Sequence, residues 1–112
     1  MRLLGANKKQ VMRTFKDLVF KPGFHFGEGV GARFEFDNGY VISVQASRRH
    51  YCSPRENLNS PDYYESFEIG IWDELGVWRT REFIPDLNDD IAGDQSRKQI
   101  NEVMEKVQKC WE

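Results

Sequence analysis

The stretch that decides the fold is RFEFDNGYVISV, residues 33–44. Apolar and polar residues alternate on both sides of Asn38-Gly39, which is the pattern of a β-hairpin. A two-residue loop at Asn38-Gly39 would divide the large apolar side chains between the two faces of the sheet. A three-residue loop, with its glycine in the left-handed conformation, pairs Phe36 with Tyr40 and Phe34 with Ile42. We therefore predict the three-residue loop, because it places the large side chains on one face.

The opposite face of this hairpin is predicted to be more polar, because it carries Arg33, Glu35, Val41, Ser43 and Gln45. Val41 is the exception, an apolar residue among polar neighbours. Its position indicates that something covers the second face, and another protomer is the cover we expect.

Two helices are predicted, one before the sheet in the sequence and one after it. Asn7 and Gln10 have the spacing of a capping box, and the apolar residues that follow recur at helical spacing, so a helix over about 7–19 is expected. Ser96 and Gln99 form a second capping box, which opens a helix over about 96–111. The predicted apolar stripe of this last helix is Ile100, Val103, Met104, Val107 and Trp111.

A second hairpin is predicted over residues 67–83, with a four-residue loop of Asp73 to Gly76. In this register Ile71 faces Trp78, which then belongs to the apolar face. The same register pairs Glu68 with Arg81 as opposite charges across the strands. The following segment, Pro85 to Gly93, is acidic and rich in turn residues.

The predicted fold class is therefore α+β: a small antiparallel sheet of two hairpins flanked by an N-terminal and a C-terminal helix. The chain has 112 residues, which fits a single domain over 1–112 with the sheet at about 32–83. Residues 48–61 lose periodicity and collect arginine, proline, asparagine and serine, so they are expected to form an exposed loop. This loop is a candidate lid or interaction arm, and the alternative is a mobile connector.

The charge is divided unevenly along the chain. Residues 1–55 carry ten Lys/Arg and four Asp/Glu, a balance of +6, whereas residues 56–112 carry six and fourteen, a balance of −8. This opposition favours packing of the two halves or self-association, and it argues against nucleic acid as the partner of the chain as a whole. No apolar run is long enough to span a membrane, and the two cysteines are far apart, so a reducing cytoplasm is expected.

Motifs for catalysis, metals and cofactors are absent from the sequence. His25, His50, Cys52 and Cys110 match no zinc-ligand spacing, and the glycines at 27–31 match neither phosphate-loop pattern. No local Ser-His-Asp or Cys-His arrangement is present, so we expect a binding protein and not an enzyme, with no cofactor. Arg79 stands out, because an arginine beside the side-chain-free Gly70 and near an indole can hold a phosphate and help stack a base. The alternative is a surface arginine whose stem packs across Trp72.

The order of these features resembles the phage anti-Thoeris sponges, a family of small proteins that sequester cyclic ADP-ribose-type immune signals without cleaving them. The resemblance rests on the segment from Phe36 to Tyr40 with the strand after it, on the later strand pair that begins at Tyr64-Glu65, and on the segment from Pro85 to Gly93 that leads into the last helix. It implies a sheet flanked by helices, a dimer or larger assembly, a pocket where protomers meet, and a role in the cytoplasm of an infected bacterium.

Within that resemblance, six residues of the segment 78–89 are the predicted ligand-binding set. Trp78 or Phe83 would offer a ring to an adenine-like base, and Arg79 or Arg81 would meet a diphosphate. Asn88 with Asp89 would bond ribose hydroxyls or a base edge.

Two other functions fit the residues. In the first, the chain is a phage inhibitor that binds a host defence protein directly, and its acidic C-terminal half mimics a nucleic acid. In the second, the basic loop binds RNA through Arg48, Arg49 and Arg55.

Overall fold

The computed structural model describes residues 11–24 and 26–111 of the chain. Five antiparallel strands form one sheet in the order of the chain: β1 (Lys21–Pro22), β2 (Val30–Glu35), β3 (Val41–Ala46), β4 (Phe67–Trp72) and β5 (Ile91–Gln95). Two α-helices are present in this part of the chain, a short α1 (Thr80–Phe83) between β4 and β5 and the longer α2 (Arg97–Gln108) after β5. Short 3-10 turns lie at Phe15–Asp17 and Pro61–Tyr63.

The predicted register of the first hairpin is confirmed. Phe34 pairs with Ile42, and the Phe36 amide donates to the Tyr40 carbonyl at 2.8 Å. Gly39 has a φ of +91°, in the left-handed region that a three-residue loop requires of its last residue. The large apolar side chains therefore share one face, and Phe36 and Tyr40 are both buried there.

Helix α2 covers this apolar inner face of the sheet. The predicted capping box is present, since the Gln99 amide donates to the Ser96 hydroxyl and the Ser96 amide donates to the Gln99 side chain. Four residues of the predicted stripe are buried in the core, Ile100, Val103, Met104 and Val107. Trp111 is the exception, because the helix ends at Gln108 and leaves its ring 40% exposed.

The predicted helix over about 7–19 is wrong in the part that the structure describes, and its first residues, 7–10, lie outside that part. Residues 11–19 contain only the 3-10 turn, because their backbone groups bond to side chains of α2. Gln108 accepts from the Arg13 amide at 2.7 Å and donates to the Arg13 carbonyl at 2.8 Å, and Asn101 accepts from the Phe15 amide. The segment is thus held largely extended across α2, and Phe15 and Leu18 pack on the core.

The second hairpin was predicted with the wrong register and the wrong length. Trp78 pairs with Trp72 in a single bridge, and the chain then turns into α1 at Thr80. Asp73 lengthens the loop by one residue, since its carboxylate accepts from the amides of Leu75 and Val77 at 2.9 and 3.0 Å. This shift moves Trp78 to the opposite face of the sheet from the predicted one, where it is 46% exposed.

The predicted cross-strand pair of Glu68 and Arg81 is also wrong, because α1 carries Arg81 away from β4. Glu68 instead accepts a hydrogen bond from the Tyr51 amide at 3.0 Å. Arg81 lies 3.7 Å from a carboxylate oxygen of Asp90.

Besides β3, the neighbour of β4 in the sheet is β5, and not the predicted second strand of the second hairpin. β5 begins at the end of the segment that was predicted to consist of turns. Ile69 pairs with Ala92, and Phe67 pairs with Gln95 across a register shift near Asp94, whose φ is +52°. The fold is therefore α+β with an antiparallel sheet, as predicted. In the described residues, however, the sheet has five strands instead of two hairpins, and of the two helices only α2 is C-terminal, since α1 lies between β4 and β5.

Candidate functional site

The face of the sheet opposite α2, called the outer face below, carries three glycines that are each covered by an aromatic ring. A Cβ atom at Gly31 would lie 2.9 Å from the Phe24 ring, and one at Gly70 would lie 2.8 Å from the Trp78 ring. At Gly93 it would lie 2.6 Å from Cβ of Tyr51. The glycines thus let aromatic side chains lie directly against the backbone of β2, β4 and β5.

Between the covered strands, β3 is left open and forms the floor of a cavity of about 400 Å³, called the outer groove below. Ser43 and Gln45 form the floor, because they alternate with the inward-facing Ile42 and Val44 along β3. One wall consists of Trp72 and Trp78, whose ring centroids are 5.4 Å apart at an interplanar angle of 76°. The lining is Arg33, Ser43, Gln45, Trp72, Gly76 and Trp78.

Arg33 supplies the positive charge of the outer groove. Its guanidinium carbon lies 4.6 Å from the ring centroid of Phe24 and 5.5 Å from that of Trp72, so the cation is held between two aromatic side chains. Among the described residues no carboxylate lies within salt-bridge distance of it. The guanidinium is therefore positioned by rings and keeps its hydrogen-bond donors for an anion.

Gln45 brings a polar group with an unmet requirement to the same floor. Its amide nitrogen donates to the Ser43 hydroxyl at 3.2 Å. Its amide oxygen is buried, and within the described chain it has no hydrogen-bond partner. A buried acceptor without a partner costs about 1–3 kcal/mol. Rotation of this amide toward a ligand in the groove would remove that cost.

Of the six predicted ligand-binding residues, only Trp78 lines the outer groove. Arg79 follows it in the chain but points to the other side of the sheet, where its guanidinium lies 5.6 Å from the Tyr40 ring centroid. It also pairs with Asp73 at 2.9 Å and with Glu82. Phe83 is buried against the same tyrosine in an edge-on arrangement with centroids 5.4 Å apart. The structure therefore brings Arg79 and Phe83 together, away from Trp78.

The remaining three predicted residues lie on the surface of the α1–β5 connection. Arg81, Asn88 and Asp89 are all exposed, and Arg81 donates to the Asp89 carbonyl at 3.2 Å. Arg81 and Asp89 are thus close together, but neither lines a cavity with Trp78. Their assignment to a ligand stays a prediction.

Electrostatics around Arg79 favour a structural ion-pair network. The hydrogen bond from Arg79 lowers the pKa of Glu82. The pKa of Asp73 is lowered first by the Val77 amide and also by Arg79. Because both carboxylates are held ionised, the positive charge of Arg79 is largely compensated within the protein.

Sequence reasoning missed the other five lining residues of the groove, and Arg33, Ser43 and Gln45 are its polar ones. They were assigned correctly to the more polar face of the first hairpin, but nothing connected that face to the indole of Trp78. The signal in the sequence that could have found them is a glycine in each of three strands, at positions 31, 70 and 93. Glycine within a strand often marks a place where another group lies close to the backbone.

The basic loop closes on a glutamate of the glycine-rich turn. One carboxylate oxygen of Glu28 accepts from Arg48 at 3.3 Å, from Arg49 at 3.1 Å and from Asn57 at 3.1 Å. The hydrogen bond from Arg49 is the main reason that the pKa of Glu28 is lowered. The loop is therefore tied to the sheet, and beside it a second cavity of about 430 Å³ lies between Phe20, Val30 and Leu58.

Of the four residues considered for zinc, His25 lies outside the described part of the chain. His50, Cys52 and Cys110 lie within it, and no cluster of three His, Cys, Asp or Glu residues there is arranged to hold a metal ion. In the same residues, no helix has the length and apolar character needed to cross a membrane.

Comparison with known proteins gives no relative for this arrangement: no protein-family model, no curated protein and no solved structure matches the chain significantly.

Proposed function

We propose that this chain is a non-enzymatic phage counter-defence protein that binds a cyclic nucleotide immune signal of the cyclic ADP-ribose type and withholds it. The observation that supports this most directly is Arg33, a guanidinium without a carboxylate partner in the described chain, held between Phe24 and Trp72 at the outer groove. A ring surface beside a cation is the combination that a base with its phosphate requires.

Each part of a nucleotide finds a complementary group in the outer groove. A base stacks on the exposed indole of Trp78, a contact worth about 1–3 kcal/mol. The phosphate accepts hydrogen bonds from Arg33, which contribute about 1.5–3 kcal/mol for a charged pair. Ser43 and Gln45 offer a hydroxyl and an amide to the ribose or the base edge.

Withholding a signal requires binding without chemistry, and the lining of the outer groove suits that role. Its side chains are an arginine, a serine, a glutamine and two tryptophans. No histidine, cysteine, lysine or carboxylate is among these side chains, so the lining offers none of the usual general acids or bases. The assembly into a dimer or larger oligomer that the family resemblance implies stays a prediction.

The test is a fluorescence titration of the protein with cyclic ADP-ribose and with cyclic AMP, since two tryptophans line the groove. We expect saturable quenching for at least one ligand, and intact ligand recovered by mass spectrometry after the protein is denatured. Absence of binding by both ligands would contradict the proposal for this ligand class, and a cleaved product would contradict the non-enzymatic role.

Matched variants locate the site. Arg33→Gln and Trp78→Leu should each weaken binding about tenfold, in line with the loss of one charged contact or one stacked ring. Lys98→Gln removes one positive charge from the exposed surface of α2 and should leave the affinity unchanged. If Arg81→Gln weakens binding and Arg33→Gln does not, the phosphate site is on the α1–β5 connection and not in the outer groove.

A second candidate function has one observation in its favour. In the α1–β5 connection Asp86 and Asp89 are exposed, and no Lys or Arg of the described chain forms a salt bridge with either. An inhibitor that binds a basic host defence protein would use such an acidic surface. Pull-down from host lysate should then recover a basic partner, and replacement of Asp86, Asp89 and Asp90 by Asn should release it.

A further inference from the structure

Beyond the outer groove, two more aromatic residues are paired with arginines at the end of the sheet where β3 ends. Tyr51, which covers Gly93, has the Arg55 guanidinium 4.9 Å from its ring centroid. Phe26 has the Arg49 guanidinium at 5.7 Å. With Phe24 and Arg33 there are three such ring–arginine pairs, and the rings of two of them, Phe24 and Tyr51, cover glycines of the outer face.

These rings are accessible to a partner. The exposed fraction is 39% for Phe24, 46% for Trp78, 57% for Tyr51 and 87% for Phe26. The cover of Gly31, Gly70 and Gly93 fixes three of them against the backbone of different strands. Rings that are already fixed lose little conformational entropy when a planar group stacks on them.

The charges of this surface favour an anionic partner. Within the described chain, neither Arg33 nor Arg55 has a carboxylate within salt-bridge distance, and Arg48 and Arg49 share the single carboxylate of Glu28. The strands place two acidic residues on this face, Glu35 on β2 and Glu68 on β4, and one oxygen of Glu68 accepts from the Tyr51 amide. The overall net charge of −2 does not reveal these arginines without acidic partners, because the acidic residues belong mostly to the second half of the chain.

We infer that the outer face also binds single-stranded nucleic acid, with bases stacked on Trp78, Phe24 and Tyr51 and phosphates bound by the arginines beside them. Strands are about 4.8 Å apart, so the three strand spacings from Gly31 on β2 to Gly93 on β5 correspond to about 14 Å. One base for each ring gives a site of about three nucleotides. This inference rests on the proposed function, because both use Arg33 and Trp78 to recognise a base and its phosphate.

The experiment measures fluorescence anisotropy of end-labelled oligouridylate and oligothymidylate of two, four and eight nucleotides, at several salt concentrations. We expect affinity to rise from two to four nucleotides and then level off. A plot of the logarithm of the affinity against the logarithm of the salt concentration should have a slope of about −1.4, as for two phosphates of a single strand that are neutralised by Arg33 and Arg55. A duplex of eight base pairs should bind at least about tenfold more weakly, since its bases cannot stack on the rings.

Variants outside the outer groove separate this inference from the proposed function. Tyr51→Ala and Arg55→Gln should weaken binding of the eight-nucleotide strand about tenfold and leave the affinity for cyclic nucleotide unchanged. Tyr63→Ala removes a tyrosine that is 62% exposed and has no part in the outer face, and with Lys98→Gln it is the matched control. Thermal unfolding of each variant verifies that the fold is intact.

The outcomes are distinguishable. Cyclic nucleotide binding without any binding of the strands overturns this inference and leaves the proposed function standing. Strand binding that is independent of length, equal for the duplex, or unaffected by Tyr51→Ala and Arg55→Gln overturns it as well. Binding of the strands without any binding of cyclic nucleotide supports the stacking surface and contradicts the sponge.

Discussion

The ring of Trp78 lies directly over Gly70, where a Cβ atom would come within 2.8 Å of the indole. The bridge between Trp72 and Trp78 fixes this position, because it brings the second tryptophan back across β4 after the Asp73 loop. The wall of the outer groove therefore depends on the absence of a side chain in the strand beneath it.

Gly70→Ala should displace the Trp78 ring and lower both stability and ligand affinity. The cost is about 1–3 kcal/mol, as for other overpacked sites, and it should be seen as a lower urea midpoint. The double variant with Trp78→Leu is the control. If Gly70→Ala lowers the free energy of unfolding as much in the Trp78→Leu protein as in the wild type, the loss of stability does not come from contact with the indole.

Asn38→Asp should destabilise the protein by about 2 kcal/mol, because it removes two part-buried hydrogen bonds at the C-terminal end of α2. The Asn38 side-chain amide donates to the Val107 carbonyl, in the last turn of α2, at 2.7 Å. It also donates to the Cys110 carbonyl, just beyond the end of that helix, at 2.8 Å. A carboxylate has no donor for them and is repelled by the helix C-terminus. Asp37 lies in the same loop and is exposed, so Asp37→Ala should change the free energy of unfolding, measured by urea denaturation, by less than about 0.5 kcal/mol.

Thr80→Val should cost about 2–3 kcal/mol, since the threonine is buried and its hydroxyl has no substitute. That hydroxyl accepts from the Ile71 amide at 2.9 Å and lies 2.6 Å from the Asp90 carbonyl, to which it donates, and so it joins β4 to the start of β5. Thr80→Ser keeps the hydroxyl and should recover most of the loss in thermal unfolding. A Thr80→Val protein as stable as the wild type would contradict a stabilising role of the hydroxyl.

Glu28 should make stability depend on pH below its ordinary pKa of 4.5. Its pKa is lowered on folding by Arg49, Asn57 and Arg48, so its contribution is present above that value and is lost as pH falls through the lowered one. In Glu28→Gln, the urea midpoint should therefore be lower than in the wild type at pH 7 and approach it near pH 3. Glu102→Gln, on the exposed side of α2, is the control. A constant difference between Glu28→Gln and the wild type across this range would contradict the pKa shift.

The parts of the fold that could be predicted from the sequence are those decided by neighbouring residues. The alternation around Asn38-Gly39 allows only one loop length that keeps Phe34, Phe36 and Tyr40 on one face, and the Ser96–Gln99 box marks the start of a helix with a clear apolar stripe. Both predictions concern residues close together in the chain.

The errors arose where distant residues decide the structure. The segment before β1 has helical periodicity, but Gln108 and Asn101 take its backbone hydrogen bonds. The strand β5 has only two apolar residues, and its pairing with β4 follows from the displacement of Trp78 and the turn into α1. The outer groove was missed for the same reason, because it joins the first hairpin to a tryptophan more than thirty residues later.

The order of the strands has a consequence for how the chain closes on itself. Neighbours in the sheet are also neighbours in sequence, so the sheet can grow by local closures of low entropic cost. The bonds between Arg13 and Gln108 instead span 95 residues. Residues 11–20, which precede β1, are held by these bonds, by the bond from the Phe15 amide to Asn101 and by side-chain contacts, so this segment can detach without unpairing any strand. Its release would expose the rings of Phe15 and Phe20 and the face of Phe67 beneath them, and leave the outer face unchanged.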